Sequence, residues 1–130
     1  MKPGMAVGQE ATITAKVTPE MYAQFEGQVV HPAYSTVAMV YHMEWAARQI
    51  ILPYLEEHEE GIGGAVSVKH VAPTMAGDTI TVTATLTKLK GRAVITDVVA
   101  RNRDGVIGTG EVTQFILEKG EIDRKLKVSR

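Results

Sequence analysis

The sequence predicts an α+β chain in which a curved antiparallel sheet wraps one long central helix. Three observations carry that expectation. Residues 34–58, YSTVAMVYHMEWAARQIILPYLEEH, form one long stretch whose apolar residues recur at helical spacing. Four later segments, 65–74, 78–90, 92–102 and 106–119, are rich in valine, isoleucine and threonine and are separated by turn residues. One further strand-like segment, residues 10–17, precedes the helix. With 130 residues and 45% hydrophobic content, the chain fits one domain over residues 1–130 that buries a core of its own.

Each element has a local cause. EATITAKV at 10–17 alternates with a period of two and ends at Thr18-Pro19. Residues 19–34 mix proline, glycine and aromatics without a sustained period, which reads as a short helical turn and then a loop placed to act as a lid. Ser35 or Thr36 supplies a side-chain oxygen to cap the helix that follows. That helix is expected to run to about residue 57, bent at Pro53, where an amide donor is lost. On a helical wheel Met39, Met43, Ala46, Ala47 and Ile50 fall in one stripe, with Val40 and Ile51 toward one edge and His42 away from it. Further along, Ile80, Val82, Ala84 and Leu86 alternate with threonines, the pattern of a sheet covered on one face. Lys90-Gly91 and Asp104-Gly105 suit tight hairpins. One strand, one apolar helix and four antiparallel strands make the outline of a hot-dog fold. Residues 119–130 read as a flexible, solvated tail.

Composition narrows the function classes. A formal net charge of -1 without a basic block inside the domain argues against nucleic acid as a partner. No apolar run reaches membrane-spanning length and the first residues build no signal-peptide core, so the expected location is the cytoplasm, with no membrane partner. The chain has no cysteine, which leaves oxygen and nitrogen side chains to carry any chemistry. There is no Gly-x-Ser-x-Gly elbow and no P-loop.

Two residues stand out. Glu44 is a carboxylate just past the edge of the apolar helix stripe, where it either pairs with Arg48 four residues on or serves a reaction. His70 shares a strand face with Val66 and Val68, which turns its imidazole toward the helix. A histidine there is either a satisfied core residue or, with a carboxylate nearby, a general acid/base near neutral pH. His31, His42 and His58 suggest no metal site, and no cofactor is expected.

The stretches STVAMVYHMEWAARQIILPYLEE and GIGGAVSVKHVAPTMAGDTITVTATL resemble the fluoroacetyl-CoA thioesterase family of hot-dog proteins, over roughly residues 4–119. In that family a threonine stands eight residues before the glutamate of a Met-Glu-Trp-Ala helix, and a histidine follows the glutamate by 26 residues. Here those positions are Thr36, Glu44 and His70, and the family's glycine seven residues before the histidine is Gly63. The chain departs from the family pattern in two places, the lid and the last strand. Gly27 and Val30 stand in the lid where a family member carries aromatics, and Gln114 takes the place of an arginine on the last strand.

The resemblance therefore implies general thioester hydrolysis of a small acyl-CoA rather than fluoroacetyl selectivity. Coenzyme A would enter only as part of the substrate, and the protein would act as a homodimer with its sites at the interface. Thr36, Glu44 and His70 are the candidate catalytic residues, and Gly63, Gly64, Val30 and Gln114 the candidate substrate contacts. His70 would be the base for a water or for Thr36, and Glu44 would orient it or attack the carbonyl. Backbone amides at the helix start, or at Gly63 and Gly64, would polarise that carbonyl. If both are helical, Thr36 and Glu44 lie about 12 Å apart along the axis and cannot bond directly. Lys119, Arg124, Lys125, Lys127 and Arg130 offer charges for the phosphates of coenzyme A. A noncatalytic acyl-CoA or small-acid binding protein remains the alternative.

Overall fold

A computed structural model describes residues 1–128. A strand β1 (Glu10–Lys16) leads through a one-turn 3-10 helix to a hairpin of β2 (Tyr22–Phe25) and β3 (Gln28–Tyr34), followed by the helix α1 (Thr36–Ile51). Then come β4 (Glu59–His70), β5 (Thr79–Lys90), β6 (Ala93–Asn102), β7 (Gly105–Glu118) and a last helix α2 (Lys119–Val128). Five strands make one antiparallel sheet in the order β1-β5-β6-β7-β4, and β2-β3 forms a separate ribbon. This is the hot-dog arrangement that the element pattern predicts.

The alternation read from the sequence decides which face meets the helix. Ile80, Val82, Ala84 and Leu86 on β5 and Val94, Val98 and Ala100 on β6 are fully buried. Opposite them lie Met39, Met43, Ala46, Ala47, Ile50 and Ile51 of α1. The two alanines let the helix approach the sheet closely, and the methionines fill the wider gaps. Gly108 on β7 makes room for Met39, because a Cβ at that glycine would run into the methionine sulfur. Buried polar atoms are satisfied: Gln114 Nε2 donates to the Ala47 carbonyl at 3.1 Å, and Thr96 Oγ1 donates to the Val112 carbonyl at 3.3 Å.

Several boundaries differ from the sequence reading. Residues 22–34 are a hairpin rather than a loop, with Glu26 and Gly27 at positive φ forming its turn. The helix ends at Ile51 rather than near residue 57, because Pro53 converts Leu52–Tyr54 into a separate 3-10 turn instead of a bend. β4 begins six residues earlier than expected and stops at His70. The tail is helical over Lys119–Val128, and Arg130 lies outside the described residues. Ile122 and Leu126, four apart, line a groove with Ile62, Phe115 and Leu117, and Arg92 pairs with Glu121 at 2.9 Å, so the segment has both an apolar stripe and a tether.

A β-bulge at Gly64 decides which residues of β4 face the helix. Gly63 pairs with Gln114 and Ala65 with Thr113, so Gly64 is the extra residue and the facing pattern slips by one. Gly61 and Gly63 therefore share the helix-side face with Val66, Val68 and His70, opposite Ile116, Gln114, Val112, Gly110 and Gly108.

Gly110 tests how tightly β4 and β7 are joined. A Cβ there would collide with the Ser67 main-chain carbonyl, which has no freedom to rotate away. Gly110→Ala should lower stability by about 2–3 kcal/mol in urea denaturation.

Candidate active site

The helix cap creates the first part of the site. Ser35 accepts a hydrogen bond from the Ala38 amide at 3.0 Å, and its carbonyl accepts from the Met39 amide at 3.0 Å. Thr36 is the first helical residue, and no backbone acceptor takes the Thr36 or Val37 amide among the described residues. Those two N–H groups point out from the positive end of α1. Thr36 Oγ1 lies 2.9 Å from Nδ1 of His70, the last residue of β4. Burial depresses the imidazole below the usual histidine range, opposed by a backbone hydrogen bond at Ala72. This pair opens into a cleft of ≈ 530 Å³ whose walls include His31, Tyr34 and Pro73. Thr36 also borders a second cleft of ≈ 600 Å³, between the β2-β3 ribbon and α1, lined by Tyr22, Phe25, Val37 and Tyr41.

Glu44 stands two turns further along α1 in a different cleft of ≈ 340 Å³, with Tyr41, Trp45, Arg48, Gly63 and Gln114. Arg48 does not pair with it; the guanidinium reaches Glu60 at 3.0 Å instead. A Cβ on Gly63 would lie 3.2 Å from Glu44 Oε2, so the glycine gives the carboxylate its space. Within one chain the structure thus joins Thr36 to His70 and Glu44 to Gly63 and Gln114, and among the described residues no hydrogen bond links the two sets. Gly64 meets the Phe115 ring rather than the cleft. Val30 is 54% exposed on β3 and lines neither the Thr36–His70 cleft nor the Glu44 cleft.

The pattern of the fluoroacetyl-CoA-specific thioesterase family matches residues 17–120. The chain belongs to that family. A curated relative, the fluoroacetyl-CoA thioesterase of Streptantibioticus cattleyicolor, is 33% identical over 133 residues, covering 98% of this chain and 96% of the relative. Among solved structures, a thioesterase superfamily member from Thermus thermophilus is 43% identical with a TM-score of 0.92, covering 98% of this chain and 96% of that one. A variant of the fluoroacetyl-CoA thioesterase in complex with acetyl-CoA superposes with a TM-score of 0.89 at 29% identity, over 96% of this chain and 98% of that one. Family membership makes this chain a thioester hydrolase. Among the described residues no helix is long and apolar enough to cross a membrane.

One buried polar residue beside the candidate site escaped the sequence reading. His42, placed away from the apolar stripe on the helical wheel, is in fact 3% exposed, and its Nδ1 lies 2.6 Å from the Tyr34 phenol oxygen. The wheel held a signal, since His42 stands three residues after Met39 and four before Ala46, both buried. Only the β2-β3 hairpin, which delivers Tyr34 over that position, shows why an imidazole is tolerated there.

Both imidazoles resist protonation in the fold, His42 through burial, opposed by the Ala38 backbone, and His70 through burial. Below about pH 6.5 the unfolded chain takes up protons at these positions that the folded chain refuses. Stability is therefore full above that pH and falls as pH drops below it, levelling once the folded imidazoles also protonate. Urea denaturation at about pH 7.5 and pH 5.5 should show the loss, with a smaller difference in His42→Gln.

Proposed function

We propose that this thioesterase hydrolyses a small acyl-CoA to the free acid and coenzyme A. The observation that carries the reading is the Thr36–His70 hydrogen bond at the positive end of α1. The thioester carbonyl sits over the free Thr36 and Val37 amides, which hold the oxyanion as it forms. His70, kept neutral by burial, takes the proton from an attacking water and returns it to the departing thiolate; if the Thr36 hydroxyl attacks instead, the acyl group passes to its oxygen and a water deprotonated by the same imidazole then cleaves that ester to the free acid. The same cleft would serve a binding protein, but the base and the donors gathered here favour turnover.

Glu44 enters this chemistry through a second copy of the chain. β4 is an unpaired sheet edge of 12 residues, exposed throughout residues 62–67, with Ile62 and Val66 presenting apolar side chains. Antiparallel pairing of two such edges about an axis beside Val66 and Ser67 sets His70 of one copy beside Gly63 of the other, and hence beside the Glu44 that borders that glycine. The carboxylate then orients the imidazole and stabilises its protonated form, or attacks the carbonyl itself, expelling the thiolate and leaving an anhydride that water cleaves. Gln114, fixed to the Ala47 carbonyl, forms a wall of the same cleft.

A panel of short acyl-CoA thioesters, assayed by free thiol release, tests the activity; no turnover across the panel with binding retained would leave a binding protein. On a good substrate, Glu44→Gln and His70→Ala should each lower turnover by a factor on the order of a hundred or more with the fold intact, and Thr36→Ala by less.

The shared site makes a separate prediction. Light scattering should report a dimer, and mixing inactive Glu44→Gln with inactive His70→Ala chains should restore roughly a quarter of the unmodified activity, since half the dimers are mixed and each regains one of two sites. No recovery on mixing would place Glu44 and His70 of each site in the same chain.

A further inference from the structure

Tyr34 and His42 form a buried polar pair that the chemistry above does not use. Tyr34 closes β3 at 2% exposure, and its ring stacks on the His42 imidazole with centroids 5.7 Å apart and 21° between planes. Among the described residues the phenol has no hydrogen-bond partner other than His42 Nδ1, 2.6 Å away, and in the tautomer that leaves this nitrogen unprotonated the O–H donates to it. Burial raises the phenol far above its ordinary range and lowers the imidazole, so both groups stay neutral. For packing alone, two apolar side chains of the same shape would serve as well. The tyrosine ring has a second neighbour, however: it meets the His70 imidazole at 6.2 Å between centroids and 70° between planes. Its main chain is fixed too, donating from N–H to the Thr74 carbonyl at 2.9 Å, and its next residue is the Ser35 cap that places Thr36.

We propose that Tyr34 is a positioning residue for the Thr36–His70 pair and that His42 is its anchor. The hydrogen bond holds the phenol against the His70 ring, shields that side of the imidazole from water, and keeps Nδ1 turned to the Thr36 hydroxyl. The inference rests on the reading of His70 as the base. Within one chain three other elements pack around His70, and in the dimer proposed above the second copy adds its Glu44 carboxylate, which all the variants below retain. From β3 come Tyr34 and, across the cleft, His31; from α1 come Thr36 and, behind Tyr34, His42; β7 presents Gly108 opposite it. On β4 itself, Lys69 alternates to the other face.

The test follows the His70 imidazole by NMR titration in the unmodified full chain, His42→Gln, His42→Leu and the double variant Tyr34→Phe/His42→Leu. The kcat/KM–pH profile is recorded on whichever acyl-CoA turns over. The proposal expects His42→Leu and the double variant to raise the His70 titration point toward the ordinary histidine value, as water reaches the ring. The acid limb of the profile should move the same way, and kcat should fall several-fold with little change in KM. His42→Gln, which still offers the phenol an acceptor, should stay close to the unmodified protein. The double variant leaves no buried polar group unpaired, so it carries the test if His42→Leu does not fold. An unchanged His70 titration in the folded double variant overturns the proposal whatever the turnover. A raised titration point in a protein that hydrolyses no thioester supports the positioning and overturns only the assigned reaction.

Discussion

Burial of the Met39–Met43–Ala46–Ala47–Ile50 stripe of α1 in the concave face of the sheet is the contact on which the other placements depend. Those side chains are at or close to full burial, and each buried methionine or isoleucine contributes about 1.5–3 kcal/mol of transfer free energy. The stripe fixes the rotation of the helix about its axis. With that rotation set, Thr36 is delivered to the end of β4 and Glu44 to the glycines in its first half. A rotation of the helix that carried Glu44 into the place of Met43 would bury its carboxylate, so the fold and the candidate site share one constraint.

The glycines of β4 and β7 are the other half of that constraint. Gly108 admits Met39, Gly63 leaves space for Glu44, and Gly110 lets the two strands close on each other. Because these contacts need a missing side chain rather than a flexible backbone, the sheet is locally thin under the helix. The Gly64 bulge then returns Gly61 and Gly63 to the helix side, which an unbroken strand would turn outward. A carboxylate on an apolar helix thereby gains an open cleft instead of an ion pair, and its neighbour Arg48 is drawn to Glu60.

Polar groups are placed at the rim of this core and held there by hydrogen bonds. Ser35 uses its side chain and its carbonyl to cap α1, which leaves the Thr36 and Val37 amides free beside the Thr36 hydroxyl. His70 ends its strand where the sheet meets that cap, half-buried and depressed in basicity. Tyr34 and His42 back it from the core side. Electrostatic preorganisation of this kind acts through donors already fixed before substrate arrives.

What the sequence determined by itself were the properties written in periodicity and in spacing. The period-two alternation of residues 79–86, the helical stripe from Met39 to Ile50 and the Thr36, Glu44 and His70 intervals are local patterns, and the fold class and family follow from them. Tertiary structure decided the rest because it depends on which residue lies opposite which. The pairing of β4 with β7 revealed the Gly64 bulge, and the hairpin over residues 22–34 had no sustained period to announce it. Pro53 ended α1 where a bend was expected, since the lost donor was compensated by a 3-10 turn rather than by continued helix. His42 looked solvent-facing on a wheel because its burial is supplied by Tyr34 of β3, and the separation of Glu44 from His70 within one chain is a distance between a helix and the far end of a strand, which no one-dimensional interval encodes.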